Sequence, residues 1–298
     1  MKEWMKTKGL HRKGIKMKKD RRSELTAYLF LLPSFTGVTI FVLIPFVDVV
    51  RRSFYGAMNG KFTGLANYNT VLKNEAFMLA AKNTGRFLLT CIPLLLLLSL
   101  LLALLLHRQK NHIQFFKTSF LLPMAIPVAS IALLWKLLFH EQGLLNRFLL
   151  SLGGAKIDFL NTDRAFWILV LTYLWKNMGY DLVLWLTGLN EIDEELYEAA
   201  SVDGAGGWEK FRFITIPKLL PTVNVIAILS FVNSFKVFRE AYLISGDYPQ
   251  EKIYMLQHLF NNWFLSLDIQ KMCAAAVMCV VLFLIIILFY IKLDRDEG

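Results

Sequence analysis

The sequence has few of the residues that soluble enzymes and disulfide-bonded scaffolds need. Charged residues make up only 19% of its 298 residues while 56% are hydrophobic, whereas soluble domains are usually about 25% charged and about 45–50% apolar. It has three cysteines, in or beside apolar runs, and no Cys/His cluster with metal-ligand spacing. These absences exclude a soluble enzyme, a disulfide scaffold and a disordered protein, and they predict no metal site.

The hydrophobic residues are gathered into runs of about twenty residues, the length at which a helix crosses roughly 30 Å of hydrocarbon. Five runs are free of charge, and a sixth is interrupted by Lys176 and Asp181. We therefore expect an all-α polytopic membrane protein with six transmembrane helices. The predicted spans are residues 25–50, 86–106, 116–139, 165–189, 216–236 and 270–291.

The connections between these spans are too short to hold a catalytic domain of typical size. No nucleophile, base and orienting group can be assembled from the sequence, so no catalytic residues are predicted. Work that requires a soluble domain must therefore be done by another polypeptide.

Most of the excess positive charge lies in the first 24 residues, which hold ten lysines and arginines against three acidic residues. A basic cluster before the first apolar run is typical of the cytoplasmic side of a membrane. Nucleic acid is the weaker explanation, because the chain has no recognised nucleic-acid module. We predict a basic cytoplasmic tail, residues 1–24, followed by a transmembrane domain, residues 25–298.

The loop at residues 190–217 is predicted to form a helix, a tight turn and a second short helix. Asp193 is a candidate N-cap, and Ile192, Leu196 and Ala199 form a narrow apolar stripe. Gly204 can end the helix in a left-handed conformation without strain. Residues 190–213 contain seven acidic and two basic residues, which anionic lipid would repel, so we expect a protein partner rather than a membrane surface.

The spacing within this loop resembles the EAA loop of permease subunits in bacterial ABC importers, whose pattern is E-A-A, x3, G, x9, I, x, L, P. The matching residues are Glu198, Ala199, Ala200, Gly204, Ile214, Ile216 and Pro217. The one departure is Ile216 in place of leucine. The resemblance implies the type I ABC importer permease fold and places the loop in the cytoplasm, with both termini on that side of the bacterial cytoplasmic membrane.

Other segments resemble the carbohydrate-importing permeases of the maltose and multiple-sugar type. They are residues 28–35, Asn67-Tyr68, residues 175–180, residues 195–205, and a final loop with Tyr254 and Phe260 leading to residues 274–276. The similarity extends from about residue 24 to the C-terminus. It implies a multi-pass subunit that imports a sugar or oligosaccharide by alternating access.

The resemblance also implies partners: a second homologous permease, two cytoplasmic ATPase subunits and an extracytoplasmic solute-binding protein. The chain has no GxxxxGK[ST] loop, so we expect it to bind no cofactor and to leave ATP and Mg²⁺ to the partner ATPase. The residues that the resemblance assigns to ATPase coupling are Glu198, Ala199, Ala200, Asp203, Gly204, Phe211 and Pro217.

A sugar path requires hydroxyl partners beside aromatic faces, and ionisable residues inside a span usually face a cavity or a partner. The fifth span ends in such a group of residues, in a stretch that corresponds to the sugar site of the maltose-type permease. The candidate path residues are Asn177, Tyr180, Phe231, Asn233, Ser234 and Lys236.

Two alternatives stay open from the sequence. The same machinery could carry glycerol phosphate, an oligo-uronide or another polyol, and Lys176 and Lys236 are compatible with an anionic cargo. The chain could instead be a polytopic membrane enzyme or regulator, although the intact EAA spacing and the missing catalytic groups argue against this.

Overall fold

The computed structural model describes residues 21–57, 60–107 and 113–297, and these residues are mostly helical. Within the described ranges there is no β-sheet, only an isolated bridge between Tyr55 and Phe62. The predicted all-α class is therefore confirmed. Most of the predicted basic tail, residues 1–20, lies outside the described residues.

The α-helices are connected by short loops and by single π or 3-10 turns. They are α1 (Arg21–Val38), α2 (Ile44–Ser53), α3 (Ala66–Leu72), α4 (Glu75–His107), α5 (Ile113–Ala125), α6 (Val128–Phe139), α7 (Leu144–Ser151), α8 (Arg164–Asn190), α9 (Glu194–Val202), α10 (Gly207–Lys210), α11 (Ile216–Ser234), α12 (Phe238–Ser245), α13 (Leu256–Leu265) and α14 (Ile269–Glu297). The π turns are Thr39–Leu43 and Phe211–Thr215.

Five helical stretches among the described residues are long and apolar enough to cross a membrane. They are Tyr28–Ser53, Glu75–His107, Val128–Ser151, Gly207–Ser245 and Ile269–Leu288. Helix α8 is not among them, although its 27 residues would reach about 40 Å. A sixth span at α8 therefore stays a prediction.

The described residues divide into two units, one that ends at Arg52 and one that begins at Ser53. In the second unit α8 packs against α4, α5 and α11. It is buried along most of its length, as expected of a helix with apolar residues on all sides. Phe166 and Tyr173 of α8 meet Phe87 of α4 in one core, and Trp185 meets Ile226 of α11 in another.

The predicted third span, residues 116–139, is divided between α5 and α6. Helix α5 ends at Ala125 and α6 begins at Val128, with Pro127 in an extended conformation between them. Proline has no N–H to donate and restricts the residue before it, which explains the break at this position.

The backbones of α5 and α8 come together at Gly179. A methyl group added at Gly179 would overlap the backbone carbonyl of Phe120 in α5. Close approach of this kind is available only to glycine. Gly179 therefore sets the distance between these two helices.

We expect Gly179→Ala to lower the stability of the purified protein by about 1–3 kcal/mol, the usual cost of overpacking. Thermal unfolding in detergent measures the change. Gly85→Ala in α4 is the matched control, because a methyl group there meets no atom within 4 Å and alanine is the better helix former. Equal melting temperatures for the two variants would contradict the role of Gly179 in setting the distance between α5 and α8.

Candidate functional sites: an exposed loop and a polar cavity

Helix α9 is exposed along its length. It begins after Asp193, whose backbone is extended, and Glu194 and Glu195 occupy the first turn, where the helix dipole favours negative charge. Asp193 lies at the predicted N-cap position, but its side chain makes no capping hydrogen bond. None of the residues of α9 is buried.

The predicted apolar stripe does not form a core face. Ile192, just before the helix, is buried among α8 and α11 residues. Leu196 and Ala199 are exposed. The predicted helix is present, and it faces the rest of the protein with Tyr197, whose ring packs against the same core as Ile192.

The turn after α9 has the conformation that the sequence predicts. Gly204 has a φ of 84°, in the left-handed region. The Ala205 N–H donates to the Ala200 carbonyl at 2.8 Å, and the Gly204 N–H donates to the Ser201 carbonyl at 3.1 Å. This pair of bonds is the Schellman motif, which satisfies the last carbonyls of the helix.

Two polar contacts fasten α9 to the segment that returns towards α11. The hydroxyls of Tyr197 and Thr215 lie 2.8 Å apart, and the Lys210 ammonium donates to the Ser201 hydroxyl at 2.6 Å. The face opposite these contacts is exposed. It carries four of the predicted coupling residues, Glu198, Ala199, Asp203 and Gly204, while Ala200 is half-buried.

The other two predicted coupling residues lie in the return segment. Phe211 is half-buried, its ring centroid is 5.7 Å from that of the exposed Trp208, and it lines a cleft of about 710 Å³ beneath α9. Pro217 is exposed at the start of α11. Since Pro217 has no N–H for the carbonyl four residues earlier, the π turn Phe211–Thr215 occurs just before it.

A small cavity of about 50 Å³, named the polar cavity here because most of its lining residues are polar or charged, lies between α5, α8, the end of α11 and the residues that follow α11. Its walls are Met124, Thr172, Tyr173, Lys176, Asn177, Asn233, Lys236, Val237 and Glu240. The Lys176 ammonium and a carboxylate oxygen of Glu240 form an ion pair at 2.5 Å. The Lys236 ammonium donates to the Asn233 amide oxygen at 2.7 Å.

Three of the six predicted path residues meet in this cavity: Asn177, Asn233 and Lys236. The other three do not line it. The ring of Phe231 packs 5.2 Å from that of Phe283 and faces an apolar cleft instead, and the Ser234 hydroxyl donates to the Phe231 carbonyl at 2.6 Å. Tyr180 is half-buried outside the cavity.

Glu240 was not predicted from the sequence. Its side chain is only 2% exposed, and it pairs with Lys176 across 64 residues of chain. The need for an anion could have been inferred, because a lysine inside a span requires a partner. Which of the 23 acidic residues supplies it could not be inferred from the sequence.

A second lysine and carboxylate pair lies at the surface, outside the spans. Asp163, just before α8, accepts hydrogen bonds from the ammonium of Lys252 and, at 3.0 Å, from the amide of Gln250. The Lys252 ammonium holds the pKa of Asp163 below its ordinary value. This exposed pair provides a comparison for the buried one.

Apolar helices with charged residues at an internal cavity, and an exposed helical loop, are features of a membrane transport protein. Comparison with known families agrees. The family described as binding-protein-dependent transport system inner membrane component matches residues 87–295 of this chain. The chain belongs to this family, the permease component of ABC importers, in which the ATPase is a separate subunit.

Three relatives show how far the similarity extends. The trehalose/maltose transport system permease protein MalF of Thermococcus litoralis is 30% identical over 283 residues, covering 93% of this chain and 96% of that protein. The lactose transport system permease protein LacF of Rhizobium radiobacter is 28% identical, with coverage of 91% and 94%. The arabinooligosaccharides transport system permease protein AraP of Bacillus subtilis is 29% identical, with coverage of 91% and 90%.

The fold is also that of a solved ABC importer. A chain of a bacterial ABC transporter involved in the import of the acidic polysaccharide alginate superimposes with a TM-score of 0.78, covering 93% of this chain and 98% of that one. At 24% identity this likeness concerns the fold alone. The importer permease fold predicted from the sequence is thus confirmed. The count of six spans stays a prediction.

We expect Tyr197→Phe to loosen α9, because it removes the hydrogen bond to Thr215, worth about 1 kcal/mol. Hydrogen–deuterium exchange of peptides covering residues 194–205 in the purified protein should become faster. Tyr180→Phe is the control, since no hydrogen bond of the Tyr180 hydroxyl is found within the described residues. Unchanged exchange in Tyr197→Phe would show that this contact does not hold the helix.

Proposed function

We propose that this chain imports a sugar or oligosaccharide across the cytoplasmic membrane by alternating access, driven by ATP hydrolysis in partner subunits. The partners are a second homologous permease, two cytoplasmic ATPase subunits and an extracytoplasmic solute-binding protein. The observation that carries the proposal is the exposed helix α9 with its glycine turn, because a helix with no buried residue has a surface left for a partner.

In this proposal α9 is the coupling helix that docks on the ATPase. The exposed Glu198 and Asp203 offer carboxylates for charge-assisted hydrogen bonds. The small side chain of Ala199 and the bare backbone of Gly204 allow a close approach between the surfaces. The N- and C-termini and α9 then lie in the cytoplasm.

Motion of α9 would reach the polar cavity through α11. The Tyr197–Thr215 contact links α9 to the start of α11, and Asn233 near the end of α11 lines the cavity. The 19 residues of α11 span about 28 Å. In this proposal α11, which is continuous although it contains Pro221, carries a displacement of the loop to the cavity, as alternating access requires.

The chain is proposed to bind no cofactor of its own. The sequence has no GxxxxGK[ST] loop, so ATP and Mg²⁺ act in the partner ATPase.

The names of the relatives support carbohydrate as the cargo: trehalose and maltose, lactose, and arabino-oligosaccharides. The amides of Asn177 and Asn233 and the ammonium of Lys236 supply donors and acceptors of the kind that bind hydroxyl groups. Phe231, Ser234 and Tyr180 are proposed to reach the path in another arrangement of α8 and α11 during the transport cycle.

Glycerol phosphate or another anionic polyol is the second candidate cargo. It is favoured by the exposed Lys236 of the cavity wall and by a relative, the sn-glycerol-3-phosphate transport system permease protein UgpA of Agrobacterium fabrum, at 26% identity.

Thermal-shift measurement on the cognate solute-binding protein decides between these cargoes. We expect neutral di- or oligosaccharides to raise its melting temperature, because bound ligand stabilises only the folded state. Stabilisation by glycerol phosphate alone would establish the second candidate. No stabilisation by any carbohydrate would contradict the sugar proposal.

We expect Gly204→Val to uncouple ATP hydrolysis from uptake. Valine in the left-handed conformation costs about 1–2 kcal/mol, enough to disturb the turn that meets the ATPase. Uptake per ATP hydrolysed, measured in proteoliposomes, should fall by about tenfold.

Gly153→Val is the matched control for this variant. Gly153 also has a positive φ, 79°, and open space around it, but it follows α7 rather than α9. It carries the same backbone strain and should leave the coupling ratio near that of the wild type. Full uptake by Gly204→Val would exclude the coupling role of the turn.

A further inference from the structure

The buried ion pair in the cavity wall joins α8 to α12. The side chain of Lys176 is 19% exposed and that of Glu240 is 2% exposed. Each of these two charges stabilises the other away from water, because removing either one leaves a buried charge without compensation. Lys176 was noted from the sequence as an ionisable residue inside a span, whereas Glu240 was not predicted.

Lys176 has hydrogen-bonding capacity left over. An ammonium group carries three N–H donors, and Glu240 accepts one of them. Among the residues that the structure describes, no other group accepts from Lys176. Because Lys176 lines the cavity, its remaining donors are available to a molecule that enters.

The charge of the pair favours one kind of molecule. Glu240 cancels the charge of Lys176, so the deep part of the wall is neutral, while the exposed Lys236 is solvated and bonded to Asn233. A hydroxyl oxygen can accept from Lys176 without bringing a charge. An anion would lose its hydration and lie close to the Glu240 carboxylate, which repels it.

We infer that Lys176 contacts a hydroxyl oxygen of the cargo and that Glu240, as its positioning residue, makes the cavity prefer neutral polyhydroxyl groups to anionic ones. With about 50 Å³ the cavity has room for a few water-sized groups, such as one edge of a sugar ring. This inference rests on the proposed function, since it places the cavity on the cargo path.

The test is direct binding of labelled disaccharides to the full transporter in detergent, without its solute-binding protein. The probes are the neutral maltose, lactose and trehalose, and the anionic digalacturonate. We expect the wild type to prefer a neutral disaccharide. Glu240→Gln should lower the ratio of neutral to anionic affinity by about tenfold, because it adds one net positive charge beside the ligand.

Asp163→Asn is the matched control. It removes a carboxylate that also pairs with a lysine, but in the exposed pair with Lys252. The affinity ratio of this variant should stay within about twofold of that of the wild type, because exposed pairs are screened by solvent. A purely structural role of Glu240 would change stability and leave the ratio unchanged.

The double variant Lys176→Met/Glu240→Leu covers the case in which Glu240→Gln does not assemble. Apolar side chains of similar size can replace a buried pair without leaving an unpaired charge, so we expect this protein to assemble. It should bind the neutral disaccharide about tenfold more weakly than the wild type, through loss of a charge-assisted hydrogen bond.

The outcomes separate the inference from the proposed function. If the wild-type transporter binds none of the disaccharides, the sugar proposal and the inference both fail. If it binds a neutral disaccharide, and Glu240→Gln keeps the wild-type affinity ratio or the assembled double variant keeps the wild-type affinity, the inference alone fails.

Discussion

Helix α8 holds polar and charged side chains inside a bundle of apolar helices, and its neighbours supply the partners that these groups need. Lys176 pairs with Glu240 of α12, Asp181 accepts a hydrogen bond from Ser230 of α11 at 3.0 Å, and the Trp185 indole donates to Ser99 of α4 at 2.9 Å. Unpaired polar groups are costly away from water. These bonds therefore fix how the neighbouring helices are arranged around α8.

The hydrogen bond between α8 and α11 also relates the two candidate sites, the exposed loop and the polar cavity. The segment that begins at the exposed loop continues as α11, which is hydrogen-bonded to α8 at Ser230 and reaches the polar cavity at Asn233. Helix α11 therefore connects the loop to the cavity. At Gly179 the backbones of α5 and α8 meet as well.

Much of the loop at residues 190–217 could be predicted because its structure depends on residues close together in the chain. An Asp-Gly pair after a short helix was enough to predict the left-handed turn at Gly204. The apolar stripe indicated a helix, which α9 is, but Leu196 and Ala199 are exposed, because periodicity shows which residues share a face and not whether another element covers that face. The cavity was predicted in part: Asn177 and Lys236 reach it, whereas Phe231 packs elsewhere.

By itself the sequence determined the class of the protein and the position of the loop, because long apolar runs and fixed motif spacings are properties of neighbouring residues. Only the tertiary structure decided which side chains share the cavity. Lys176 and Glu240 are 64 residues apart, and no local pattern relates them. Their pairing follows from the packing of α8 with the helices around it, which brings distant parts of the chain together where water is excluded.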